Sequence, residues 1–430
     1  MKNSYQSKVV SALEAVKHIP NDSLVVMGHA AAVPQLCSQA IADNYQQYSN
    51  VRIYHMLCLG NAPYTAPEMQ GHITHVTNFV GGNTRQAVAE GRADFFPAFF
   101  YDVPRYFRNG LLPVDVAVIQ VSEPNEEGYC SFGLSCDYTK PAAECAKMVI
   151  AEVNKQMPFV GGDNFIHVDQ IDYIVEADYP LYEIPLPKIG EVEQAIGANV
   201  ASLIPDGATL QLGIGAIPDA VLVFLGEKKD LGIHTEMFSD GVLQLVKDGV
   251  ITNQVKPIHK GKLTATFLMG TKALYDFVDH NPDVDLAPVD WVNNPTTVMQ
   301  LDKIISINSC IEVDLMGQVA SETIGLTQFS GTGGQVDYVR GAAMADHGVS
   351  IMAMPSTAKK GTTSRIVSLL AAGSAVTTSR CDVDYVVTEY GIAHLRGKSL
   401  KERAKALIAV AHPQFRSDLE AEFAKRFPMA

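Results

Sequence analysis

Residues 21–34 read NDSLVVMGHAAAVP, and residues 205–218 read PDGATLQLGIGAIP. Each stretch holds an Asp, an apolar strand-like run, a Gly, and a loop of small residues ending at Pro34 or Pro218. A helix pattern follows each one, QLCSQAIADNY from Gln35 and DAVLVFLGEKK from Asp219. The copies begin 184 residues apart. That period is far too long for a solenoid, so two similar domains are expected. Between them, EADYPLYEIPLPKIGEVE carries Pro180, Pro185 and Pro187, which continue neither a helix nor a central strand. The boundary is placed there, giving domains 1–187 and 188–430.

Short apolar runs alternate with helical patterns in both halves. Strands are expected in VRIYHML, ADFFPAFF, VDVAVIQV and IDYIVEA, then in GATLQL, GKLTATFL, KIISINS, VSIMAM and VDYVVTE. Helices are expected in SKVVSALEAV, PAAECAKMVIAEVNK, PDAVLVFLGEK, KALYDFVDH and KERAKALIAVA. This alternation predicts α/β domains with largely parallel sheets. In such sheets ligands sit beyond the carboxyl ends of the strands, where the Gly-rich loops are.

Composition narrows the function. The 430 residues are 47% hydrophobic and 19% charged, an ordinary globular balance that can bury a large core. A net charge of −14 argues against extended binding to nucleic acid or to an anionic membrane surface. Seven cysteines, an odd number with no C-x-x-C pair, point to reduced thiols in a cytoplasm. The opening MKNSYQSKVVSALEAV lacks the apolar stretch of a secretory signal. No apolar run is long enough to span a bilayer. His72 and His75 form H-x-x-H, but no third ligand lies nearby, so no metal is expected.

Four segments offer chemistry. Gln211-Leu212-Gly213-Ile214-Gly215-Ala216-Ile217-Pro218 predicts a strand, a Gly-rich turn and a helix starting near Pro218. Such a turn lets a ligand approach backbone N–H groups, although on its own it also reads as a plain tight turn. It is no dinucleotide fingerprint, because Pro218 stands where the third Gly belongs. In Gly232-Ile233-His234-Thr235-Glu236-Met237-Phe238-Ser239-Asp240-Gly241 a carboxylate follows an apolar stretch. Glu236 is either a covalent nucleophile toward an activated acyl group or an exposed glutamate. Ser330-Gly331-Thr332-Gly333-Gly334-Gln335 is a connector or a presenter of N–H groups to an oxyanion. Met354-Pro355-Ser356-Thr357-Ala358-Lys359-Lys360-Gly361 places two lysines after a strand, where they meet phosphates or solvent. Neither G-x-S-x-G nor a P-loop occurs.

Taken together, these segments resemble the acetyl-CoA hydrolase/transferase family of class I coenzyme A transferases. The likeness runs along nearly the whole chain, through GNAPY, FVGGNTRQAVAEGRADFFP and VSEPNEEGYCSFG in the first half. In the second half it includes QLGIGAIPDAV, HTEMFSDG, SINSCIEVDLMGQV, SGTGGQVDYVRGA, MPSTAKKGTTSRIV, VTEYGIAHLRGKS and ALIAVAHPQFR. The wording is most similar to the branch that uses 4-hydroxybutyrate, with butyrate and acetate branches close by.

The resemblance implies two α/β domains of the CoA-transferase type with the active site at their interface. It makes Glu236 the catalytic glutamate and Gly213, Ile214, Gly215, Ala216 and Ile217 the wall of the CoA thioester site. Ile311, Gly334 and Lys359 match positions that contact coenzyme A, with the Gly334 N–H directed to the thioester oxygen. Asn294 matches the oxyanion-hole asparagine, and the adjacent Asn293 is the alternative that the register leaves open. Gln335 falls in a variable slot of the family's G-G-x-x-D pattern. The implied reaction moves coenzyme A between a short-chain acyl-CoA and a carboxylate, 4-hydroxybutyryl-CoA and acetate first among them. It passes through a γ-glutamyl–CoA thioester, with coenzyme A as substrate and no tightly bound cofactor. A homodimer is expected by base rate. Two other readings stay open: an acyl-CoA hydrolase on the same scaffold, and a CoA-binding protein without chemistry, whose signature would be an altered Glu236.

Overall fold

The computed structural model describes residues 5–428. The chain forms two compact units, Met1–Pro185 with Leu263–Val292, and Leu186–Lys262 with Asn293–Ala430. The first break falls beside the prolines singled out above. A single cut there nevertheless places residues 263–292 in the other half. The reason is strand pairing: Val284–Leu286 pairs in parallel with Leu263–Ala265 on one side and with Gly161–Gly162 on the other.

The first unit is built on seven strands: β1 (Leu24–Met27), β2 (Val51–Tyr54), β3 (Ile73–Thr77), β4 (Ala93–Phe95), β5 (Val116–Val121), β6 (Met148–Asn154) and β7 (Tyr173–Ala177). Their order is β7-β6-β5-β1-β2-β3-β4, and every neighbouring pair is parallel. Helix α1 (Gln35–Asp43) follows β1 and contributes Cys37, Ala40 and Ile41 to the core around Val25, Met27 and Ile53.

One expected helix is largely a strand. PAAECAKMVIAEVNK holds a helix only over Thr139–Cys145, and Met148–Asn154 is β6, buried at six of its seven positions. A strand covered on both faces is apolar without alternation, so periodicity alone does not separate it from a buried helix. Glu152, in the middle of that strand, is buried with a pKa raised by desolvation. Its carboxyl accepts from the Cys37 N–H at the start of α1 and from the Tyr179 hydroxyl.

The second unit repeats the plan. Its main sheet holds β8 (Thr209–Leu212), β9 (Gly232–Ile233), β10 (Ile304–Asn308), β11 (Val349–Ala353), β12 (Tyr385–Thr388) and β13 (Gly391–His394). The order is β9-β8-β10-β11-β12-β13, parallel except for the edge strand β13. β8 therefore stands between β9 and β10 as β1 stands between β2 and β5. The register agrees too: Val25 faces Val116 across β1/β5, and Thr209, which is 184 residues on, faces Ile304 across β8/β10. The repeat seen in the sequence is thus one sheet topology used twice. Each β1- or β8-type strand ends at a small-residue loop on the carboxyl edge of its sheet. The second loop leads into α2 (Ala216–Val223), and Gly334 opens α3 (Gln335–Met344).

Candidate active site

β8 ends at Leu212, and the chain turns through Gly213–Gly215 into α2, which starts at Ala216, two residues before Pro218. Gly215 has φ +111°, a conformation closed to residues with a side chain, so backbone geometry alone demands glycine there. The loop is open, and Ile214 is 42% exposed although apolar.

β9 lies at the sheet edge beside β8. The His234 N–H extends the ladder by donating to the Leu210 carbonyl. Thr235 is buried, and its hydroxyl accepts from the Leu212 N–H at 3.1 Å. The same hydroxyl lies 3.1 Å from the Leu212 carbonyl and 2.9 Å from that of Met237. This short staple fixes residues 235–237 to the foot of the Gly213–Ile217 loop. Below it, buried Lys256 donates from Nζ to the carbonyls of Ile233 (2.8 Å) and Lys262 (2.7 Å). A buried ammonium is tolerated when carbonyls replace its water in this way. Residues 231–238 are all buried except Glu236, which is half-buried. A carboxylate that reaches the surface from an otherwise buried run is held in place and still reachable.

Asn293, fully buried, donates from Nδ2 to Glu236 Oε2 at 2.8 Å. Gly334 completes the contact. A Cβ added at Gly334 lies 2.0 Å from Glu236 Oε2 and 2.4 Å from Asn293 Nδ2, so the backbone at the start of α3 rests directly on the carboxylate. The positive end of a helix favours a charged carboxylate at that place. One turn further on, the buried Tyr338 hydroxyl has its pKa pushed well up, first by desolvation and then by the charge of Glu236. Asp219 of α2 is also raised, by burial first, and accepts from Ser239 Oγ at 3.3 Å.

The structure brings together Glu236, Gly334 and, through Thr235, the Gly213–Ile217 loop. It puts Asn293, not Asn294, on the carboxylate. The Asn294 side chain caps the helix Pro295–Val298, accepting from the N–H and the hydroxyl of Thr296 at 3.0 and 2.8 Å. The sequence held the clue, because Asn followed by Pro is an N-cap with Pro at the first helical position. Ile311 is half-buried, and its N–H donates to the Ala320 carbonyl at 2.8 Å. Lys359 is exposed at the tip of the hairpin Thr357–Ala358/Thr363–Ser364, with φ +48°. Thr235 and Gln335 support the site and gave no signal beyond their place in the matched segments, and Lys256, which also supports it, lies outside those segments. In the first unit the 123–129 loop is a turn closed by Asn125, whose side-chain oxygen accepts from the N–H groups of Glu127 and Tyr129.

His72 and His75 go separate ways, with Nδ1 of each at a different backbone carbonyl, Tyr48 and Ile53. Among the described residues no group of three His, Cys, Asp or Glu side chains is arranged to hold a metal. Nor is any helix among them long and apolar enough to cross a membrane.

Residues 1–183 match the acetyl-CoA hydrolase/transferase N-terminal domain, and residues 270–423 match the C-terminal domain of the same family. The chain is 61% identical over 423 residues to a 4-hydroxybutyrate coenzyme A transferase of Clostridium kluyveri, covering 98% of this chain and 99% of that one. It is 45% identical to a succinyl-CoA:acetate/propanoyl-CoA:succinate CoA transferase of Fasciola hepatica, over 91% of this chain and 82% of the relative. The crystal structure of a 4-hydroxybutyrate CoA-transferase from Porphyromonas gingivalis superposes with a TM-score of 0.87 at 50% identity, covering 99% of this chain and 100% of that one. Both family domains are present in order, and the likeness extends end to end at high identity; the chain belongs to the acetyl-CoA hydrolase/transferase family.

Proposed function

We propose that this protein transfers coenzyme A from a short-chain acyl-CoA to a carboxylate, with 4-hydroxybutyryl-CoA and acetate as the first pair to test. The observation that carries the reading is the contact of the Glu236 carboxylate with Asn293 and with the backbone of Gly334. A carboxylate held between preorganised donors can attack an acyl carbonyl and have the resulting oxyanion stabilised.

In the proposed cycle one Glu236 oxygen attacks the thioester carbonyl, and the C–S bond breaks to release CoA thiolate. The product is a glutamyl–acyl anhydride. The thiolate then attacks the glutamyl carbonyl and expels the original acid as its carboxylate, leaving a γ-glutamyl–CoA thioester. An acceptor carboxylate runs the two steps in reverse. Each step exchanges a thiolate and a carboxylate, so no external proton or ATP is required. The Gly334 N–H donates to the thioester oxygen, and Asn293 takes the oxyanion role that the resemblance had given to Asn294. Gly213–Ile217 forms the wall beside the thioester, and Ile311 and Lys359 contact coenzyme A. Coenzyme A comes and goes as substrate. The working form is a homodimer in the cytoplasm, a setting that suits seven cysteines without a disulfide.

The test is to incubate enzyme with 4-hydroxybutyryl-CoA, trap with hydroxylamine or borohydride, and map the adduct. Modification is expected on the peptide containing Glu236 and absent from Glu236→Ala. Labelling elsewhere, or transfer by the Ala variant, refutes the assignment. CoA release that proceeds equally without acetate would instead make the protein a hydrolase.

A further inference from the structure

Three glycines at 331, 333 and 334 make the segment ahead of α3 intrinsically loose, and Gly333 has φ +53°. The residue that ends this looseness is Gln335. It is 7% exposed, and its side-chain amide reaches three separate segments. Nε2 donates to the Ser309 carbonyl at 2.7 Å, in the turn that leaves β10. Oε1 accepts from Ser321 Oγ at 2.8 Å and from Thr378 Oγ1 at 3.0 Å. Thr378 is itself fixed by two backbone bonds to Val319, at 3.1 and 3.2 Å. The amide cannot be turned over, because the reverse orientation would set its oxygen against the Ser309 oxygen. Both lone pairs of Oε1 are used, and the group is buried at low dielectric, where such a network is stiff.

We infer that Gln335 is a positioning residue for the transfer reaction, holding the Gly334 backbone against the Glu236 carboxylate. This inference rests on the proposed role of Gly334. Gly334 has no side chain to anchor it; its carbonyl accepts from the Tyr338 N–H at 3.1 Å, and the Gln335 side chain ties that helix start to Ser309, Ser321 and Thr378. The Ser309 carbonyl that Gln335 grips is two residues from Ile311, a proposed CoA contact. One amide therefore links the segment that would receive coenzyme A to the donor that would meet the thioester oxygen. Binding energy from the distant part of the substrate is thereby available to set the reacting geometry. A shift of about 1 Å at such a donor costs on the order of 100-fold in rate.

Gln335→Met keeps length and volume and removes the three bonds. It should lower kcat about 10- to 100-fold while the KM for acetate stays within about threefold. Gln335→Glu provides a second readout. Protonated, the introduced carboxyl can donate to the Ser309 oxygen and accept from both hydroxyls. Ionised, it cannot donate. Burial raises a carboxyl pKa, so activity of this variant should fall as pH rises through a range where wild type is flat. The measurements are steady-state transfer from 4-hydroxybutyryl-CoA to acetate, the single-turnover rate of adduct formation, and thermal unfolding of each variant. Folded Gln335→Met protein with wild-type kcat and wild-type adduct formation overturns the inference. So does a pH profile of Gln335→Glu that matches wild type. If wild-type enzyme itself forms no adduct on Glu236, the proposed function has failed, and the two failures are thus told apart.

Discussion

Replacing Gly334 by alanine adds one methyl group at the point where backbone meets carboxylate. The backbone there has φ −90° and ψ 6°, which alanine can adopt, so conformational strain does not enter. What enters is space. The new Cβ lies 2.0 Å from Glu236 Oε2 and 2.4 Å from Asn293 Nδ2. Non-bonded heavy atoms settle near about 3.5 Å, so the carboxylate must retreat by roughly 1.5 Å. The 2.8 Å bond from Asn293 to the same oxygen is displaced with it. Since about 1 Å of misplacement can cost 100-fold, kcat should fall by about 100-fold or more. Overpacking destabilises by about 1–3 kcal/mol, with a half-buried glutamate side chain at the yielding end. Activity should therefore collapse while the protein remains folded. The assay is transfer from 4-hydroxybutyryl-CoA to acetate, run beside thermal unfolding. Gly226→Ala is the control, since nothing lies within 4 Å of a Cβ at Gly226. If Gly334→Ala retains kcat within about twofold of wild type, Gly334 does not face the working carboxylate, and the argument built on that contact fails.

The adjacent asparagines should separate cleanly. Asn293→Ala removes the donor to Glu236 and should reduce kcat about 10²–10³-fold with little change in KM. Asn294→Ala removes a helix cap and should cost about 1 kcal/mol of stability while transfer persists; equal kinetic effects of the two would undo the assignment. Thr235→Val keeps the shape but deletes the bonds to Leu212 and Met237, and kcat should drop while the binding of free coenzyme A, measured by calorimetry, is retained. Acid should weaken the first unit. Burial lowers the pKa of His75 from 6.5 to about 4, and that of His55 shifts the same way. Between those values the unfolded chain binds a proton that folded His75 refuses, so stability is full above about pH 6.5 and is lost as pH falls toward 4. For His75 the loss is about 3 kcal/mol at ~1.36 kcal/mol per pH unit. Urea midpoints that stay constant from pH 7 to 4.5 would contradict this.

How far the sequence could be read depended on the kind of information each element needs. β8, its Gly-rich loop and α2 were legible because strand, glycine turn and helix succeed one another locally. The helix expected over 141–155 was half wrong because β6 is buried on both faces, and burial of that kind is set by neighbouring layers. Residues 263–292 followed the same rule, as their unit was decided by pairing with Gly161–Gly162. Asn293 and Asn294 are one residue apart, and only the direction of each side chain in space distinguishes the donor to Glu236 from the helix cap.

By itself the amino-acid order determined the doubled α/β plan, the candidate carboxylate at 236 and the family, since these reside in short contiguous patterns and their succession. Tertiary structure alone decided which asparagine meets that carboxylate, why position 334 has no room for a side chain, and that Gln335 binds three segments at once. Those facts depend on contacts between residues 14 to 98 positions apart in the chain, from Gln335 with Ser321 to Glu236 with Gly334. No local preference of the backbone encodes contacts over such separations; they exist only once the sheet and its helices have packed.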